Sequence, residues 1–303
     1  MQEALTGGFQ GRIAQQESLA KHTTYQIGGP ADLWIEPDNL QSLQIALGTI
    51  AKLEIPYLII GEGSNLLISD RGLQGVAVKL GKGFNYIKNQ GNKLFAGAAT
   101  TIKELSQKAL DLNLDGLASI CGIPGALGGG IVMNAGAYGA NLSDHLDWVE
   151  TIEPGGSLHR MKKKDITFSY RRADELQGKI VTAMSFQLTR GNREAIQTEM
   201  NRVERLRSRH QPLEWPSAGS VFKRPPGDYA GRILEEVGAK GFSIGGAEVS
   251  TKHANFIINR GSATAADVLA VIKELRRRVR DSYGIELEME IKKVGFGPEE
   301  EKS

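Results

Sequence analysis

The segment GIPGALGGGIVMNAGAYG, from Gly122 to Gly139, restricts the possible folds of this chain more than any other part of the sequence. Between Gly116 and Ser143 there is no acidic or basic residue, yet this window contains eight glycines, Pro124 and two asparagines. A membrane-spanning helix needs about 20 predominantly apolar residues, and a segment so rich in glycine, proline and amides would form a poor one. We therefore expect this segment to present bare backbone to something other than lipid.

Composition limits the classes of partner. The chain has 303 residues, 40% of them hydrophobic, and its 37 basic and 35 acidic residues leave a net charge of only +2. So small a charge provides no overall attraction for nucleic acid or for an anionic membrane surface. We therefore predict no nucleic-acid partner and no membrane association. The expected substrates are small molecules, and no obligate protein partner is predicted.

The only cysteine, Cys121, has apolar neighbours. A single cysteine excludes an internal disulfide and a cysteine-rich metal site, and it fits a reducing compartment. Because thiolate chemistry needs nearby positive charge, these surroundings favour a buried structural thiol. The first residues, MQEALTGGFQGR, lack the basic start and apolar run of a signal peptide, so we expect a cytoplasmic protein.

The hydrophobic pattern predicts an α+β protein with two successive regions that meet close to Gly191. The first region begins with a βαβ pattern. The predicted helices are 39–53, 101–112, 192–209, 229–237 and 264–283. The predicted strands are 31–36, 57–60, 75–80, a hairpin over 85–98, two strands around Gly155 and Gly156, and 180–189, 254–259 and 285–294.

The first candidate for chemistry is LIIGEGSNLL, residues 58–67. The segment is a buried strand followed by Gly61, Gly63, Ser64 and Asn65. The successive backbone N–H groups of these residues can donate to a phosphate oxygen. Because Leu66 occupies the position of the third glycine in a nicotinamide-binding fingerprint, such a site is not predicted here. Considered alone, the segment is explained equally well as an ordinary tight turn.

A second glycine-rich segment in the same α+β region favours a cofactor. Two such segments can enclose opposite sides of a long anionic cofactor with a planar end, because glycine allows the main chain to approach a flat ring. Asn134, Ala135 and Ala137 keep the second segment thin, yet polar enough to meet ring heteroatoms. The alternative is close packing of helices through small residues.

The segment ITFSYRRAD, residues 166–174, carries Tyr170 and Arg171 at the end of a strand-like run. Arginine suits the binding of a carboxylate through two parallel hydrogen bonds. A single arginine in a loop is weak support for such a site, since most arginines of this kind are surface residues.

The segment SAGSVFKRPPG, residues 217–227, contains Ser220 outside any G-x-S-x-G elbow, so a nucleophilic role is not predicted. Its hydroxyl could instead give a proton to a strongly basic carbon, and Lys223 and Arg224 could hold a sugar phosphate. The alternative is that Ser220 is an ordinary turn residue.

Near the end of the chain, IELEMEIKKVG places Glu286, Glu288 and Glu290 on one face of the predicted strand. We expect two of these carboxylates to be solvated and one to face a cleft. The five histidines show no metal-ligand spacing such as H-E-x-x-H, and no catalytic metal is predicted.

Seven motifs occur in the order in which one known family carries them: YQIGGPAD, GEGSNLL, GIPGALGGGIVMNAGAYG, SYRRAD, GSVFKRPPG, GGAEVSTKHANFIIN and IELEMEI. Together they resemble the UDP-N-acetylenolpyruvoylglucosamine reductase (MurB) family, the flavoenzymes of bacterial peptidoglycan synthesis. The likeness runs from Leu19 to Gly295. The chain passes directly from Tyr170 to the strand at 180–189, which is typical of the shorter class that lacks an extra tyrosine-bearing loop.

The resemblance implies a two-lobed FAD-binding region of the vanillyl-alcohol-oxidase (PCMH) type, with lobes 1–80 and 81–191, and an α/β substrate-binding domain, 192–303. It also implies FAD as cofactor and NADPH as hydride donor, for the reduction of UDP-N-acetylglucosamine enolpyruvate to UDP-N-acetylmuramate. The implied FAD-binding residues are Gly61, Gly63, Ser64, Asn65, Leu66, Gly122, Ile123, Pro124, Gly125, Gly128, Gly129, Asn134, Ala135, Gly136 and Ala137.

The resemblance further implies three catalytic residues. Arg171 and Glu290 would stabilise an enol-like intermediate, and Ser220 would protonate the adjoining carbon as the general acid. Arg224 stands where many relatives have asparagine, which changes the hydrogen bonding expected at the UDP phosphates. The implied substrate-binding residues are Tyr138, Tyr170, Lys223 and Arg224.

Two other functions stay open at this point. A flavin-dependent oxidase of the same broad fold could act on another alcohol or sugar, with Cys121 beside the flavin segment as a possible point of covalent attachment. The second is a non-catalytic flavin- or nucleotide-binding module. A yellow protein that oxidises NADPH only when the enolpyruvyl nucleotide is present would separate the reductase from both.

Overall fold

The computed structural model describes residues 7–153 and 155–297. The helices are α1 (Leu40–Lys52), α2 (Ile102–Asp111), α3 (Leu127–Val132), α4 (Arg193–His210), α5 (Ala230–Glu236) and α6 (Ala265–Tyr283). The strands are β1 (Gly11–Ser18), β2 (Pro30–Pro37), β3 (Tyr57–Ile60), β4 (Leu66–Ile68), β5 (Leu73–Lys79), β6 (Ile87–Gln90), β7 (Lys93–Gly97), β8 (Leu114–Asp115), β9 (Gly136–Ala137), β10 (Ala140–Asn141), β11 (Leu146–Ile152), β12 (Leu158–Lys162), β13 (Phe168–Ser169), β14 (Arg172–Ala173), β15 (Ile180–Gln187), β16 (Thr189–Arg190), β17 (Ser243–Ile244), β18 (Ala247–Val249), β19 (Ile257–Asn259) and β20 (Lys292–Val294). This mixture of helices and short strands agrees with the predicted α+β class.

The structure divides into two compact units, each assembled from separate stretches of the chain. Within the described residues, unit 1 comprises 7–15, 33–61 and 75–206, and unit 2 comprises 16–32, 62–74 and 207–297. The three regions predicted from the sequence are contiguous, whereas these units follow contacts rather than chain order. The predicted domain bounds therefore stay a prediction.

Unit 1 is built around an antiparallel sheet with the strand order β12-β11-β15-β7-β6. Val149 on β11 lies opposite Met184 on β15, which in turn lies opposite Ala96 on β7. All three side chains are completely buried, so this face of the sheet forms part of the core. In the first sheet along the chain, of order β1-β2-β5-β3, strands β3 and β5 pair in parallel.

The helices of unit 1 begin where the sequence supplies capping side chains. Asn39 precedes α1, and its side-chain oxygen accepts a hydrogen bond from the Ser42 amide over 2.8 Å. Thr101 and Glu104 form a reciprocal capping box at the start of α2. Each cap satisfies amide groups that the first helical turn leaves without a partner. These local signals explain why both helices lie within one residue of their predicted bounds.

Unit 2 combines α5 and α6 with the antiparallel sheet β17-β18-β19 and with the parallel pair of β4 and β20. The inner face of α6 carries Val268, Ile272, Leu275 and Val279, which are completely buried. This stripe belongs to a single apolar cluster that also contains Val249 and Ile257 of the sheet.

Two predicted strands are shorter in the structure. Only Lys292–Val294 of the segment 285–294 and only Ile257–Asn259 of the segment 254–259 are strands. Two of the remaining residues bond to Val221 instead, since the Glu290 amide donates to the Val221 carbonyl over 2.8 Å and the Val221 amide donates to the Asn255 carbonyl over 2.9 Å. The alternation of apolar residues predicts which side chains are buried here. It does not predict which main-chain groups form hydrogen bonds with each other.

Several short elements lie outside the predictions. Strand β1 has no regular alternation of buried and exposed residues, so its sequence GRIAQQES carries no period-two signal. The hairpin of β13 and β14 pairs only two residues on each side, which is too short for any periodicity to be visible. These elements form because of main-chain pairing with neighbouring strands, and their own residues carry no pattern that predicts it.

A capping interaction of α6 predicts a pH dependence of stability. The Thr264 and Gly246 amides donate to the Asp267 carboxylate over 3.0 and 3.2 Å, and these backbone hydrogen bonds lower the pKa of Asp267 below its ordinary value. A lowered pKa means that the stabilisation is complete above pH 4 or so and is lost as the pH falls through the lowered pKa.

We expect Asp267→Asn to lower the free energy of unfolding at pH 7 by about 0.3–1 kcal/mol. The difference from the unsubstituted protein should shrink towards pH 3, as measured by urea denaturation at several pH values. The control is Asp281→Asn at the other end of α6, where an exposed pair with Arg277 contributes little. A difference that is constant with pH would contradict the assignment.

Candidate active site

The first glycine turn begins directly after β3. A Cβ atom added at Gly61 would lie 3.3 Å from the Cβ of Ala126, which belongs to the second glycine-rich segment. The two predicted segments therefore meet inside unit 1, at the carboxyl end of β3. This proximity was the condition on which their joint interpretation depended.

The residues that follow Gly61 belong to unit 2, and their positions are fixed by contacts within that unit. Gly63 has a φ of +61°, and a Cβ there would lie 2.7 Å from the Cα of Thr23, so no other residue fits without a shift of the backbone. Asn65 donates from its side chain to the Glu290 carbonyl over 3.2 Å. Ser64 is half-buried, and Leu66 opens β4.

The second glycine-rich segment begins as a loop and continues as α3. The Gly125 carbonyl accepts from the Ile102 amide over 3.1 Å, and Gly125 has a φ of +132°. The amides of Leu127 and Gly128 donate to the carbonyls of Thr100 and Ala98. The start of α3 is thus anchored on the chain that follows β7. Gly122 and Ile123 are half-buried and Pro124 is exposed.

Gly129 differs from its neighbours. A Cβ at Gly128 would lie 3.1 Å from Ala98, and one at Gly130 would lie 3.1 Å from both Ile102 and Leu142, so close packing explains these two glycines. A Cβ at Gly129 would meet no protein atom within 4 Å, and the residue is exposed. Internal packing therefore does not explain the absence of a side chain at Gly129.

Asn134 links the glycine-rich segment to the hairpin of β13 and β14. It is 7% exposed, accepts from the Ser143 hydroxyl over 2.7 Å and donates to the Ser169 carbonyl over 3.1 Å. The structure thus gives this amide a positioning role within the protein. Its predicted contact with a flavin, like those of the half-buried Ala135, Gly136 and Ala137, stays a prediction.

Arg171 lies at the tip of this hairpin with a φ of +58°. Its Nη1 atom donates to the Gly136 carbonyl over 3.2 Å, so the guanidinium contacts the glycine-rich segment. Tyr170 beside it is 52% exposed, and its ring centre lies 5.1 Å from the guanidinium carbon. The structure therefore brings SYRRAD and NAGAYG together, although 35 residues separate Arg171 from Gly136.

Tyr138 is an exposed residue with a φ of +52°. Its ring lies 5.8 Å from the guanidinium carbon of Arg202, which pairs with Glu199 over 2.6 Å. Hydrogen bonding to Arg202 holds the pKa of Glu199 below its usual range, so this pair keeps its charges at neutral pH. Arg202 cannot be recognised from the sequence, because a charged residue on an exposed helix face gives no distinctive signal.

Ser220 and Glu290 lie on segments that are paired in unit 2. The amide of Glu290 donates to the carbonyl of Val221, the residue after Ser220, and the Lys223 amide donates to the Glu288 carbonyl, each over 2.8 Å. Ser220 is half-buried, and Glu290 is 9% exposed. Glu286 and Glu288 are exposed, as expected for two of the three glutamates, and the expectation that the third faces a cleft stays a prediction.

Lys223 and Arg224 make contacts of their own within unit 2. The Lys223 ammonium forms an ion pair with the Glu288 carboxylate, and the Arg224 guanidinium carbon lies 4.5 Å from the centre of the Tyr229 ring. Arg224 is exposed and Lys223 is half-buried. Both cations are accessible to an anionic ligand, and their contacts with substrate stay a prediction.

Cys121 is 3% exposed and packs in an apolar cluster with Leu110, Met200 and Val203. The prediction of a buried thiol is confirmed, and burial disfavours attachment of a cofactor to this sulfur.

Among residues 7–153 and 155–297, no group of three histidines, cysteines or carboxylates is placed to hold a metal ion. No helix in the same residues is long and apolar enough to cross a membrane.

Comparison with known proteins relates these observations to one family. Residues 31–162 match the profile described as an FAD binding domain, and residues 211–294 match that described as the C-terminal domain of UDP-N-acetylenolpyruvoylglucosamine reductase. The UDP-N-acetylenolpyruvoylglucosamine reductase of Heliobacterium modesticaldum is 43% identical over 293 residues, which are 96% of this chain and 93% of that protein.

Solved structures agree with this relationship. The crystal structure of UDP-N-acetylenolpyruvylglucosamine reductase from Thermus caldophilus matches 94% of this chain and 99% of its own with a TM-score of 0.81 and 34% identity. Wild-type Phl p 4.0202, a glucose dehydrogenase, matches 63% of this chain and 44% of its own with a TM-score of 0.50 and 16% identity, which is a likeness of fold alone. The predicted fold class is confirmed, and the chain belongs to the UDP-N-acetylenolpyruvoylglucosamine reductase family.

Proposed function

We propose that this chain reduces UDP-N-acetylglucosamine enolpyruvate to UDP-N-acetylmuramate, with FAD as cofactor and NADPH as hydride donor, in the synthesis of peptidoglycan precursors. The observation that carries the proposal is its likeness to named reductases along almost the whole chain. The lone, buried Cys121 fits a reducing compartment, and the proposal includes a cytoplasmic location.

The residues of unit 1 fit FAD. Gly129 leaves exposed main chain that no internal contact requires, and bare backbone allows a flat ring to approach closely. When bound, FAD would supply the chemistry of hydride transfer between NADPH and the enolpyruvyl substrate. The proposal assigns FAD binding to the predicted residues in 61–66 and 122–137.

The role of Arg171 is to stabilise negative charge on the substrate carboxylate as the hydride arrives. Its hydrogen bond to the Gly136 carbonyl holds the guanidinium before substrate binds, and a preorganised cation costs little reorganisation during the reaction. Such a group contributes a factor of about 10² to 10³ in rate.

The role of Ser220 is to give its Oγ proton to the substrate carbon next to the carboxylate. A carbanion-like centre is basic enough to take a proton from a hydroxyl, and general acid catalysis contributes about 10² to 10⁴ in rate. Glu290 stabilises the same intermediate. A proton or hydrogen bond shared between its carboxyl group and the enolic carboxylate would reduce the repulsion between like charges.

The nucleotide part of the substrate is assigned to Tyr138, Tyr170, Lys223 and Arg224. Both tyrosines are exposed aromatic surfaces. The two cations could bind the UDP phosphates, with Lys223 exchanging its ion pair with the exposed Glu288 for one with phosphate. An exposed ion pair is weak, so this exchange costs little free energy.

Ser220→Ala tests the proposed acid. We expect the variant to keep its yellow colour and the rate at which NADPH reduces its flavin, because neither requires the hydroxyl. Turnover of the enolpyruvyl substrate should fall by at least about 100-fold. Stopped-flow absorbance of the flavin measures the two half-reactions separately. Ser217→Ala in the same loop serves as control, and full turnover by Ser220→Ala would remove this serine from the mechanism.

Gly129→Ala tests the proposed flavin surface without relying on activity. Because a methyl group there meets no protein atom, the apoprotein should be as stable as before or more stable by about 0.5–1 kcal/mol, as for a glycine replaced inside a helix. We expect the FAD content of the purified protein to fall. Gly48→Ala in α1 is a matched control, since its methyl group would also meet no protein atom.

The control should retain its full FAD content, as determined by flavin absorbance per protein after gel filtration. Equal FAD content in Gly129→Ala and the unsubstituted protein would mean that the backbone at Gly129 does not lie against the cofactor.

A further inference from the structure

Asn255 is a buried polar residue in the otherwise apolar run ANFII. It is 6% exposed, and its side-chain amide bonds to both main-chain groups of Phe222. The Phe222 amide donates to Oδ1 over 2.9 Å, and Nδ2 donates to the Phe222 carbonyl over 2.8 Å. The side chain thus replaces the neighbouring strand that Phe222 would pair with in a sheet.

A third hydrogen bond comes from the main chain. The Val221 amide donates to the Asn255 carbonyl over 2.9 Å. The two residues that follow Ser220 are therefore held by one asparagine through three hydrogen bonds. Val221 and Phe222 are both 1% exposed, so water cannot readily replace these bonds.

The opposite edge of the same segment pairs with the residues around Glu290. Phe222 forms a bridge with Met289, and the Glu290 amide bonds to the Val221 carbonyl. The segment after Ser220 consequently lies between Asn255 on one side and the chain that carries Glu290 on the other. Any shift of Phe222 would change the position of Ser220 relative to Glu290.

Asn255 is itself fixed in position. Its amide donates to Nδ1 of His253 over 3.2 Å, and the His253 ring lies 5.0 Å from that of Phe256. Burial, with the positive charge of Lys240, lowers the pKa of His253. The ring is therefore neutral at pH 7, and Nδ1 remains an acceptor for the Asn255 amide.

The chemistry of the amide group explains why asparagine is needed. An amide offers a donor and an acceptor in one plane, whereas an ionised carboxylate offers acceptors only. An ionised aspartate at this position could still accept from the Phe222 amide. It would have no proton to donate to the Phe222 carbonyl, so two acceptor oxygens would lie against each other. A buried acceptor that loses its donor is destabilised, and the local backbone would shift to relieve it.

We propose that Asn255 is a positioning residue for the reaction, which holds Ser220 in place relative to Glu290 through the main chain of Phe222. This inference rests on the proposed function, because it assigns Asn255 to the geometry of the proposed acid. Asn255 does not contact the reacting atoms in this role.

Asn255→Asp tests the inference in the purified holoprotein. We expect reduction of the flavin by NADPH to stay within about twofold of the unsubstituted rate, while flavin reoxidation by the enolpyruvyl substrate slows by about 10- to 100-fold at pH 8, since small displacements of reacting groups have effects of this size. Lowering the pH should restore part of the rate, because a protonated carboxyl group regains a donor for the Phe222 carbonyl.

Asn259→Asp is the matched control. Asn259 is equally buried, donates to the Tyr25 carbonyl and accepts from the Gly261 and Ala263 amides, and it lies in the same unit. We expect a similar loss of Tm in both variants, with slow flavin reoxidation and its recovery at low pH in Asn255→Asp only. Equal effects on reoxidation in the two variants would overturn the positioning role.

Asn255→Ala provides a second measurement if the aspartate variant does not fold. Misalignment of Ser220 should make protonation more rate-limiting, so the solvent deuterium isotope effect on flavin reoxidation should rise above that of the unsubstituted protein and of Asn259→Ala. An unchanged isotope effect together with an unchanged rate would contradict the inference. Failure of the unsubstituted protein to reoxidise with the enolpyruvyl substrate would instead contradict the proposed function.

Discussion

The main-chain hydrogen bond from Glu290 to Val221 determines the geometry of the candidate site in unit 2. It joins the segment that carries Glu290 to the residue next to Ser220 over 2.8 Å. Asn65 bonds to the carbonyl of the same glutamate, so the turn after β3 is tied to this pair as well. Three stretches that are distant in sequence thus share one set of backbone contacts. Main-chain pairing of this kind positions side chains more rigidly than a contact between two flexible side chains would.

Close internal packing explains some of the glycines in the second segment but not all of them. A methyl group at Gly128 or Gly130 would lie only 3.1 Å from neighbouring side chains, whereas Gly129 faces open space. Close packing therefore explains two glycines of this short helix, whereas the approach of a ligand at the adjacent Gly129 belongs to the proposed function. Arg171 and Asn134 then connect this helix region to the hairpin of β13 and β14, so that the proposed cofactor surface and the proposed cation belong to one local framework.

Elements with a strong period or a clear cap could be predicted from the sequence. The strand Tyr57–Ile60 and the long helix up to Tyr283 are found as expected, because alternation, capping residues and the apolar stripe are local properties. The exposure of two of the three glutamates in IELEMEI was also expected, and Glu286 and Glu288 are exposed. The partners of Val221 and Arg171 could not be predicted, since a main-chain hydrogen bond carries no residue preference and both contacts join distant parts of the chain. Asn255 was detectable only as a polar residue in an apolar run.

The discontinuous composition of unit 2 has a consequence for biosynthesis. Its parallel strands β4 and β20 lie far apart in the sequence, and the Asn65–Glu290 bond beside them spans 225 residues. A nascent chain emerges from the ribosome in order. Ile27 and Leu67 are therefore synthesised early, but they can be buried in their common cluster only after α6 and β20 have been synthesised. Folding of this unit is therefore completed only after the residues of β20 have been synthesised, and its early apolar segments stay exposed to solvent until then.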